Sequence, residues 1–181
     1  MNVLIAYSTT DGHTRRIADF LATKTCLAQH NLKVISVPGD VKPNLGDFDA
    51  VVVTASIHAG QYRNEIVDYA TINAGMLNRI PCAFLSVGLS ITNKDPEARR
   101  SLEETTRHFL EVSGWKPVIV EQVAGALLYT QYGFIKKMLI RSIMKKAGAV
   151  TDTSRDHIYT DWDLLRQSMT AFVERVEPVL H

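Results

Sequence analysis

Long apolar runs and an excess of either charge are both missing from this sequence. No run reaches the roughly 18 residues that a transmembrane helix needs, so none is predicted. With 20 Lys and Arg against 19 Asp and Glu, the formal net charge is +1. The overall charge therefore implies neither a nucleic acid nor a strongly acidic partner. No signal peptide is expected, because a strand-like apolar run begins at once, at Val3.

Cysteine is scarce, and the histidines are scattered. The two cysteines, Cys26 and Cys82, fall in a predicted helix and a predicted strand. Buried free thiols in a reducing compartment are the expected outcome. None of the six histidines has a Cys or another His nearby, so no metal site is predicted. These histidines are His13, His30, His58, His108, His157 and His181.

Two common nucleotide-binding motifs are also absent. The chain has no G-x-G-x-x-G for a dinucleotide and no P-loop, in which a Lys follows a Gly. A phosphoacceptor receiver domain would need acidic residues at the end of the first strand, where this chain has Tyr7 and Ser8.

What the sequence does have is a hydroxyl-rich loop, Ser8–Thr14, between the apolar run Val3–Ala6 and an amphipathic helical pattern. A helix N-terminus offers free N–H groups and a positive dipole end, which suit an anion. Ser8, Thr9, Thr10 and Thr14 would add neutral donors, and Gly12 would let the backbone approach. Asp11 is unfavourable there unless it points away or caps the helix. An ordinary capped helix start remains an alternative of equal weight.

Strands and helices alternate along the chain, which predicts an α/β fold with a doubly wound, five-stranded parallel sheet. Predicted strands cover about 2–7, 32–37, 50–53, 81–87 and 118–123, and predicted helices about 13–29, 64–78, 97–113 and 162–176. Ligands of such sheets bind beyond the carboxyl ends of the strands. We therefore expect a site formed by loops 8–14, 55–62 and 86–94.

An additional segment, about 127–150, separates the fifth strand from the last helix, and we expect it to be helical. On a helix, Ile135, Leu139 and Ile143 would share one face, opposite Lys137, Arg141 and Lys145. The pattern suits either a membrane-surface helix or a core helix with a solvated basic face.

Taken together, these features resemble the flavodoxins. The resemblance includes the Ser-x-Thr-x-Gly-x-Thr loop, the strand entry Asp47–Val53 and the loop lengths, and it covers residues 1–181 as one domain. Ordinary flavodoxins are acidic and stack an aromatic ring on the flavin. Here the charge is balanced, and the corresponding loops offer Ile57, His58 and Leu89. Tyr62 either reaches the flavin or packs under the second helix.

Five markers together resemble a more specific family, the menaquinone-dependent protoporphyrinogen IX dehydrogenases of bacterial haem synthesis. They are Ser8–Thr14, Ala55–Ile57, Ala124–Leu127, Ile140–Lys145 and Tyr159–Trp162. The resemblance implies bound FMN, oxidation of protoporphyrinogen IX, and reoxidation by menaquinone or ubiquinone. It also implies a cytoplasmic protein, peripheral on the inner face of an anionic membrane.

The resemblance also implies which residues form the site. His58 is a weak candidate for moving a proton, and an ordinary surface histidine is the better interpretation. Lys137, Arg141 and Lys145 would meet substrate propionates or the membrane. The FMN-binding residues would be Ser8, Thr9, Thr10, Asp11, Gly12, His13, Thr14, Ser56, Ile57, His58, Ala59, Gly60, Ser86, Val87, Gly88, Leu89 and Asp152.

Two other functions remain open at this point. A one-electron flavodoxin carrier would stabilise one-electron-reduced flavin, and its acidic surface is missing here. A quinone reductase driven by NAD(P)H is compatible with everything in the sequence.

Overall fold

The computed structural model describes residues 1–39, 43–92, 96–131, 140 and 152–177. Five parallel strands form one sheet in the order β2-β1-β3-β4-β5, which confirms the predicted fold class. The strands are β1 (Asn2–Ser8), β2 (Asn31–Ser36), β3 (Ala50–Ser56), β4 (Cys82–Gly88) and β5 (Ile119–Ala124). The described helices of two turns or more are α1 (His13–Lys24), α2 (Asn64–Leu77), α3 (Pro96–Ser113) and α4 (Trp162–Val176).

Helices cover both faces of the sheet. On one face, α1 and α4 pack around Ile17, Leu21, Met169 and Phe172. On the other, α2 and α3 pack around a cluster that includes Phe84, Phe109 and Trp115. Because β3 is buried on both sides, its first six residues are apolar or small and at most 1% exposed.

The first helix is shorter than the sequence predicted. It ends at Lys24 rather than near residue 29, because Thr25 adopts an extended conformation. The Thr25 hydroxyl donates to the Leu21 carbonyl and accepts from the Leu27 N–H. A short 3₁₀ turn, Cys26–Gln29, follows. This local side-chain bonding replaces the helical bonds that would have continued α1.

A small antiparallel pair, β6 (Ala126–Leu127) and β7 (His157–Ile158), lies beside the end of β5. The Asp156 carboxylate reinforces it by accepting from the Thr130 N–H at 2.9 Å and from the Thr130 hydroxyl at 2.8 Å. We call residues 126–130 and 156–159 the neck. In the sequence, residues 132–151 lie between its two sides.

The predicted inward face of α4 and the predicted end of α3 are confirmed. The inward residues of α4 (Leu165, Met169, Phe172, Val173 and Val176) are all buried. Gly114 ends α3 with a positive φ of 67°. Cys82 is buried and Cys26 is half-buried, both as free thiols. In the part of the chain that the structure describes, no helix has the length and apolar character required to cross a membrane.

Candidate functional site

The carboxyl ends of β1, β3 and β4 form the floor of the candidate site. Ser8 of β1 pairs with Ala55 of β3, and Ala55 pairs with Ser86 of β4, so the three strands end level. After β1 the chain turns to one side of the sheet, and after β3 to the other. The loops therefore diverge between β1 and β3, where sheets of this order open a binding crevice.

The phosphate-type loop begins at Ser8, which is 1% exposed. Its hydroxyl oxygen is buried and finds no hydrogen-bond partner among the described residues. The Thr9 hydroxyl accepts from the Gly12 N–H at 2.9 Å, which closes the loop on itself. Thr10 is exposed and Thr14 is buried. A buried hydroxyl without a partner is costly, and a ligand oxygen would satisfy it.

Gly12 gives the loop its shape. It is the N-cap residue of α1, with a left-handed φ of 85° and ψ of −11°. Having no side chain, it leaves the first-turn N–H groups of α1 without a cap from the N-cap position. A Cβ added to Gly12 would meet nothing within 4 Å. Glycine is therefore required by the backbone angle, while the space beside it is open for an anion.

An arginine that the sequence analysis did not connect with this loop lies against it. The Arg63 Nη1 donates to the Thr9 carbonyl at 3.0 Å, and its other nitrogens donate to Glu65. Arg63 precedes α2, so it joins the loops that follow β1 and β3. The predicted neutral loop therefore has a guanidinium beside it, balanced by the Glu65 carboxylate. In the sequence, Arg63 directly follows the predicted 55–62 loop, and this position was the feature that could have identified it as part of the site.

The loop after β3 ends in a tight turn. His58 and Gln61 exchange backbone hydrogen bonds of 2.9 and 3.1 Å, and both residues between them, Ala59 and Gly60, have positive φ. That pairing of angles is the pattern of a type I′ turn. A positive φ at an alanine is unfavourable and concentrates at functional sites. His58 is exposed at this turn, and the hydroxyl of Ser56 below it is buried without a partner among the described residues.

Tyr62 belongs to the core. It is 7% exposed and packs against Phe84 and Phe109. Its hydroxyl donates to Ser86 at 2.7 Å and lies 3.0 Å from the Thr106 hydroxyl. Burial raises the pKa of Tyr62 to about 12, so the phenol stays protonated and continues to donate. Of the two alternatives left open for Tyr62, the structure supports packing in the core, between the sheet and helices α2 and α3.

The loop after β4 is placed by close packing. A Cβ on Gly88 would lie 2.8 Å from the Cδ1 atom of Leu102 in α3, so a larger residue there would require the Leu102 side chain to move. Val87 is buried in the core. Leu89 packs against Leu127, Leu128 and Tyr129, which belong to the neck. The neck therefore touches the loop that the sequence assigns to the flavin ring.

Three predicted side chains are bonded to other residues of the protein. The Ser86 hydroxyl is held by Tyr62 and Thr106, and the His13 imidazole bonds to Thr160 at 2.7 Å. Asp152 is exposed, accepts from Ser154 and pairs with Arg155. Asp11 is half-buried. Lys137, Arg141 and Lys145 lie outside the described residues, as do Ile135, Leu139 and Ile143 of the opposite predicted face.

The residues present fit a phosphate monoester and an attached flat ring. The first-turn N–H groups, the open space at Gly12 and the partnerless Ser8 hydroxyl suit the phosphate. The loops 56–60 and 86–89 lie next along the same edge and suit the ring. The predicted FMN contacts of Ser8–Thr14, Ser56–Gly60 and Ser86–Leu89 stay predictions that this geometry accommodates.

Comparison with known proteins first gives the class. A family model described as a flavodoxin domain matches residues 4–154. A flavoprotein in complex with FMN from Lactobacillus acidophilus NCFM superposes with a TM-score of 0.49 at 12% identity, covering 67% of this chain and 92% of that one. The family model and the strand order β2-β1-β3-β4-β5 define the class as a flavodoxin domain.

The relatives then give the particular family. The chain is 35% identical over 170 residues to protoporphyrinogen IX dehydrogenase (quinone) of Escherichia coli K12, covering 90% of both chains. It is 36% identical over 173 residues to the protein of the same name from Leishmania major, covering 93% of this chain and 73% of that one. The chain belongs to the protoporphyrinogen IX dehydrogenase (quinone) family within the flavodoxin domain family. The family inferred from the five sequence markers is thereby confirmed.

Replacing Gly12 with Val tests the phosphate loop. We expect FMN affinity to fall at least tenfold, because a β-branched residue opposes the positive φ and its Cβ enters the anion space. Gly114→Val is the matched control, since Gly114 also has a positive φ, with nothing within 4 Å of its Cβ position, at the far end of α3. Both variants should lose stability, by about 1–3 kcal/mol. Wild-type FMN affinity in Gly12→Val by fluorescence quenching would contradict this placement.

Replacing Tyr62 with Phe tests the buried hydroxyl network. We expect a loss of about 1 kcal/mol in urea unfolding, because Ser86 and Thr106 lose a partner but still bond to each other. The bound-flavin spectrum should stay unchanged, since Tyr62 is packed in the core. Tyr69→Phe is the control: its half-buried side chain carries a hydroxyl with no partner among the described residues, so its removal should cost nothing. A greater loss in Tyr69→Phe than in Tyr62→Phe would refute the network's contribution.

Proposed function

We propose that this chain binds FMN and oxidises protoporphyrinogen IX to protoporphyrin IX, with a membrane quinone as electron acceptor, in haem biosynthesis. The observation that carries the proposal is the 35% identity to the E. coli enzyme over 90% of both chains. A match of that extent leaves only about a tenth of either chain uncovered. The geometry of the site supports the cofactor independently of the relatives.

The phosphate of FMN would lie on the loop between β1 and α1. Ser8, Thr9, Thr10 and Thr14 provide neutral hydroxyls, and the first turn of α1 provides N–H groups. Arg63, bonded to the Thr9 carbonyl, holds this loop from the side of α2. FMN, when bound, supplies an acceptor for the electrons that the substrate loses in repeated two-electron steps.

The flavin ring would lie between loops 56–62 and 86–90. Tyr62 is the single Phe, Tyr or Trp residue in these two stretches, and its side chain is buried in the core. Ile57 and Leu89, both partly buried, are the large apolar side chains nearest the strand ends. A ring held by aliphatic side chains and backbone keeps a face open, and a flat porphyrinogen can approach that face.

Among the residues that the structure describes, no side chain at the site is arranged as an obligatory acid or base. His58 is the candidate nearest the proposed ring position, and its exposure at the turn tip suits exchange of a proton with water. We keep it as the weak candidate named from the sequence. The chain's principal contribution is to bind and orient, while redox chemistry belongs to the cofactor.

The additional segment would bring the enzyme to its substrates. Protoporphyrinogen is a large apolar ring with two propionates, and quinones dissolve in lipid, so both are found at a membrane. Lys137, Arg141 and Lys145 are spaced for one helix face and could attract anionic lipid or propionates. The contact between the neck and Leu89 supports a position for this segment beside the ring site.

Anaerobic addition of protoporphyrinogen IX to the FMN-loaded protein tests the reaction. We expect the flavin absorption to bleach at a rate that rises with substrate concentration, and a quinone to restore it. NADPH in place of the porphyrinogen is the control, and it should bleach the flavin slowly or not at all.

Two outcomes would instead support the rival functions. Rapid bleaching by NADPH alone would identify a pyridine-nucleotide-driven quinone reductase. A stable one-electron-reduced state on photoreduction, with no response to porphyrinogen, would identify an electron carrier.

Replacing Lys137, Arg141 and Lys145 with Gln tests the membrane role. We expect weaker sedimentation with anionic vesicles and slower quinone turnover with FMN still bound, because each basic residue contributes about 1 kcal/mol near such a surface. Added salt should release the wild type, since the Debye length falls from about 10 Å at 0.1 M to about 3 Å at 1 M.

The matched control carries the same charge change at exposed positions elsewhere, Lys24, Lys33 and Lys116 to Gln. If both triple variants bind vesicles and turn over quinone like the wild type, the membrane role of the segment is wrong.

A further inference from the structure

A buried chain of hydrogen bonds joins the start of α1 to the end of β5. The His13 Nε2 lies 2.7 Å from the Thr160 hydroxyl oxygen, which lies 2.7 Å from the Ala124 carbonyl oxygen. His13 is 5% and Thr160 is 7% exposed. The His13 ring also meets Trp162 edge-on, with ring centroids 6.1 Å apart. Residues from three distant parts of the sequence therefore close around one imidazole.

The direction of these bonds fixes the protonation state of His13. The Ala124 carbonyl can only accept, so the single hydroxyl hydrogen of Thr160 is donated to it. Thr160 must then accept from His13, which places a hydrogen on Nε2. The remaining nitrogen, Nδ1, is buried and has no partner among the described residues. A charged imidazole would place a second N–H at Nδ1 with no acceptor, so the neutral Nε2–H tautomer is the form this packing allows.

The surroundings of His13 also favour the neutral imidazole. Burial, aided by the positive charge of Arg16, lowers the pKa of His13 to about 4. Since His13 loses its proton above that value, it stays neutral throughout the physiological pH range. It therefore contributes geometry to the phosphate loop and no charge.

We propose that His13 is a positioning residue, which holds the amino end of α1 in place for the cofactor phosphate by donating its Nε2–H to Thr160. His13 is the first residue of α1 and directly follows Gly12. Its side chain is anchored to Thr160 and Trp162, so its backbone N–H is held at the loop. The inference rests on the proposed binding of FMN and adds a role for the Tyr159–Trp162 marker, which the reaction itself does not use.

The remaining contacts of that marker support the same role. The Tyr159 N–H donates to the Gly125 carbonyl at 3.1 Å, next to the Thr160 bond to Ala124. Asp161 caps α4 by accepting from the N–H groups of Asp163 and Leu164. Trp162 also packs on Phe20 of α1, with ring centroids 4.6 Å apart. The start of α4 is thus rigid, and His13 connects that rigid point to the phosphate loop.

The pair His13→Gln and His13→Asn tests the donor. The Gln amide nitrogen reaches about as far as the imidazole Nε2, whereas the Asn amide is shorter and cannot reach Thr160. We expect His13→Gln to bind FMN within about threefold of the wild type. His13→Asn should bind FMN about tenfold more weakly, the change that corresponds to loss of one hydrogen bond. Thr160→Val removes the acceptor and should match His13→Asn.

Riboflavin, which lacks the phosphate, separates positioning from general damage. If His13 orders the phosphate loop, His13→Asn should lose affinity for FMN and keep that of the wild type for riboflavin. An equal loss for both flavins would mean that the fold as a whole has weakened, and the proposal would be wrong. Equal FMN affinity in His13→Asn and wild type would also overturn it, while leaving the proposed function intact. Failure of the wild type to bind FMN would refute the proposed function itself, and this inference with it.

Nitrogen NMR of ¹⁵N-histidine-labelled protein provides a readout without cofactor. We expect His13 to show the neutral Nε2–H pattern, unchanged from pH 5 to pH 8, with assignment from the His13→Gln spectrum. An Nδ1–H tautomer, or a charged ring in that pH range, would contradict the hydrogen-bond direction and overturn the proposal.

Discussion

The parallel pairing of β1 with β3 is the contact on which the site depends. Both strands are buried, so their backbone groups must bond to neighbouring strands. Beside this pair the order of the strands changes direction, since β2 lies outside β1 and β4 lies outside β3. The register sets Ser8 level with Ala55. A slip of one residue would turn every side chain to the opposite face and remove the Ser8 hydroxyl from the loop. The order and register of the sheet thus determine where an anion can bind.

The loop Ser8–Thr14 is held in place from two sides. Arg63 bonds to the Thr9 carbonyl on one side, and His13 bonds to Thr160 on the other. Neither contact uses the N–H groups of the first turn of α1, which are the donors that a bound anion would need. A loop already held in its binding shape loses little conformational entropy on binding, which favours affinity. The guanidinium of Arg63 is balanced by Glu65, so the cradle remains close to neutral.

Local sequence signals predicted most of the elements and the edge at which the site lies. The β-branched run at β3, the apolar spacing of α4 and the glycine after α3 each determine structure within a few residues. The contacts that hold the site are separated by far more: 54 positions for Thr9 and Arg63, and 147 for His13 and Thr160. The spacing of apolar residues within one helix or strand cannot predict contacts between residues so far apart in the sequence. The end of α1 was missed for a different reason, because Thr25 substitutes side-chain bonds for helical ones.

The neck has a consequence for how freely this protein can vary. Thr130 and Asp156 are bonded to each other, so the two points at which the chain leaves and re-enters the neck are held together. The free energy of closing a loop grows only by about 0.6 kcal/mol for each doubling of its length. Lengthening, shortening or exchanging the stretch between those points therefore costs the sheet very little. The sequence between Thr130 and Asp156 can therefore change while the pairing of β1 with β3 and the loop Ser8–Thr14 stay as they are.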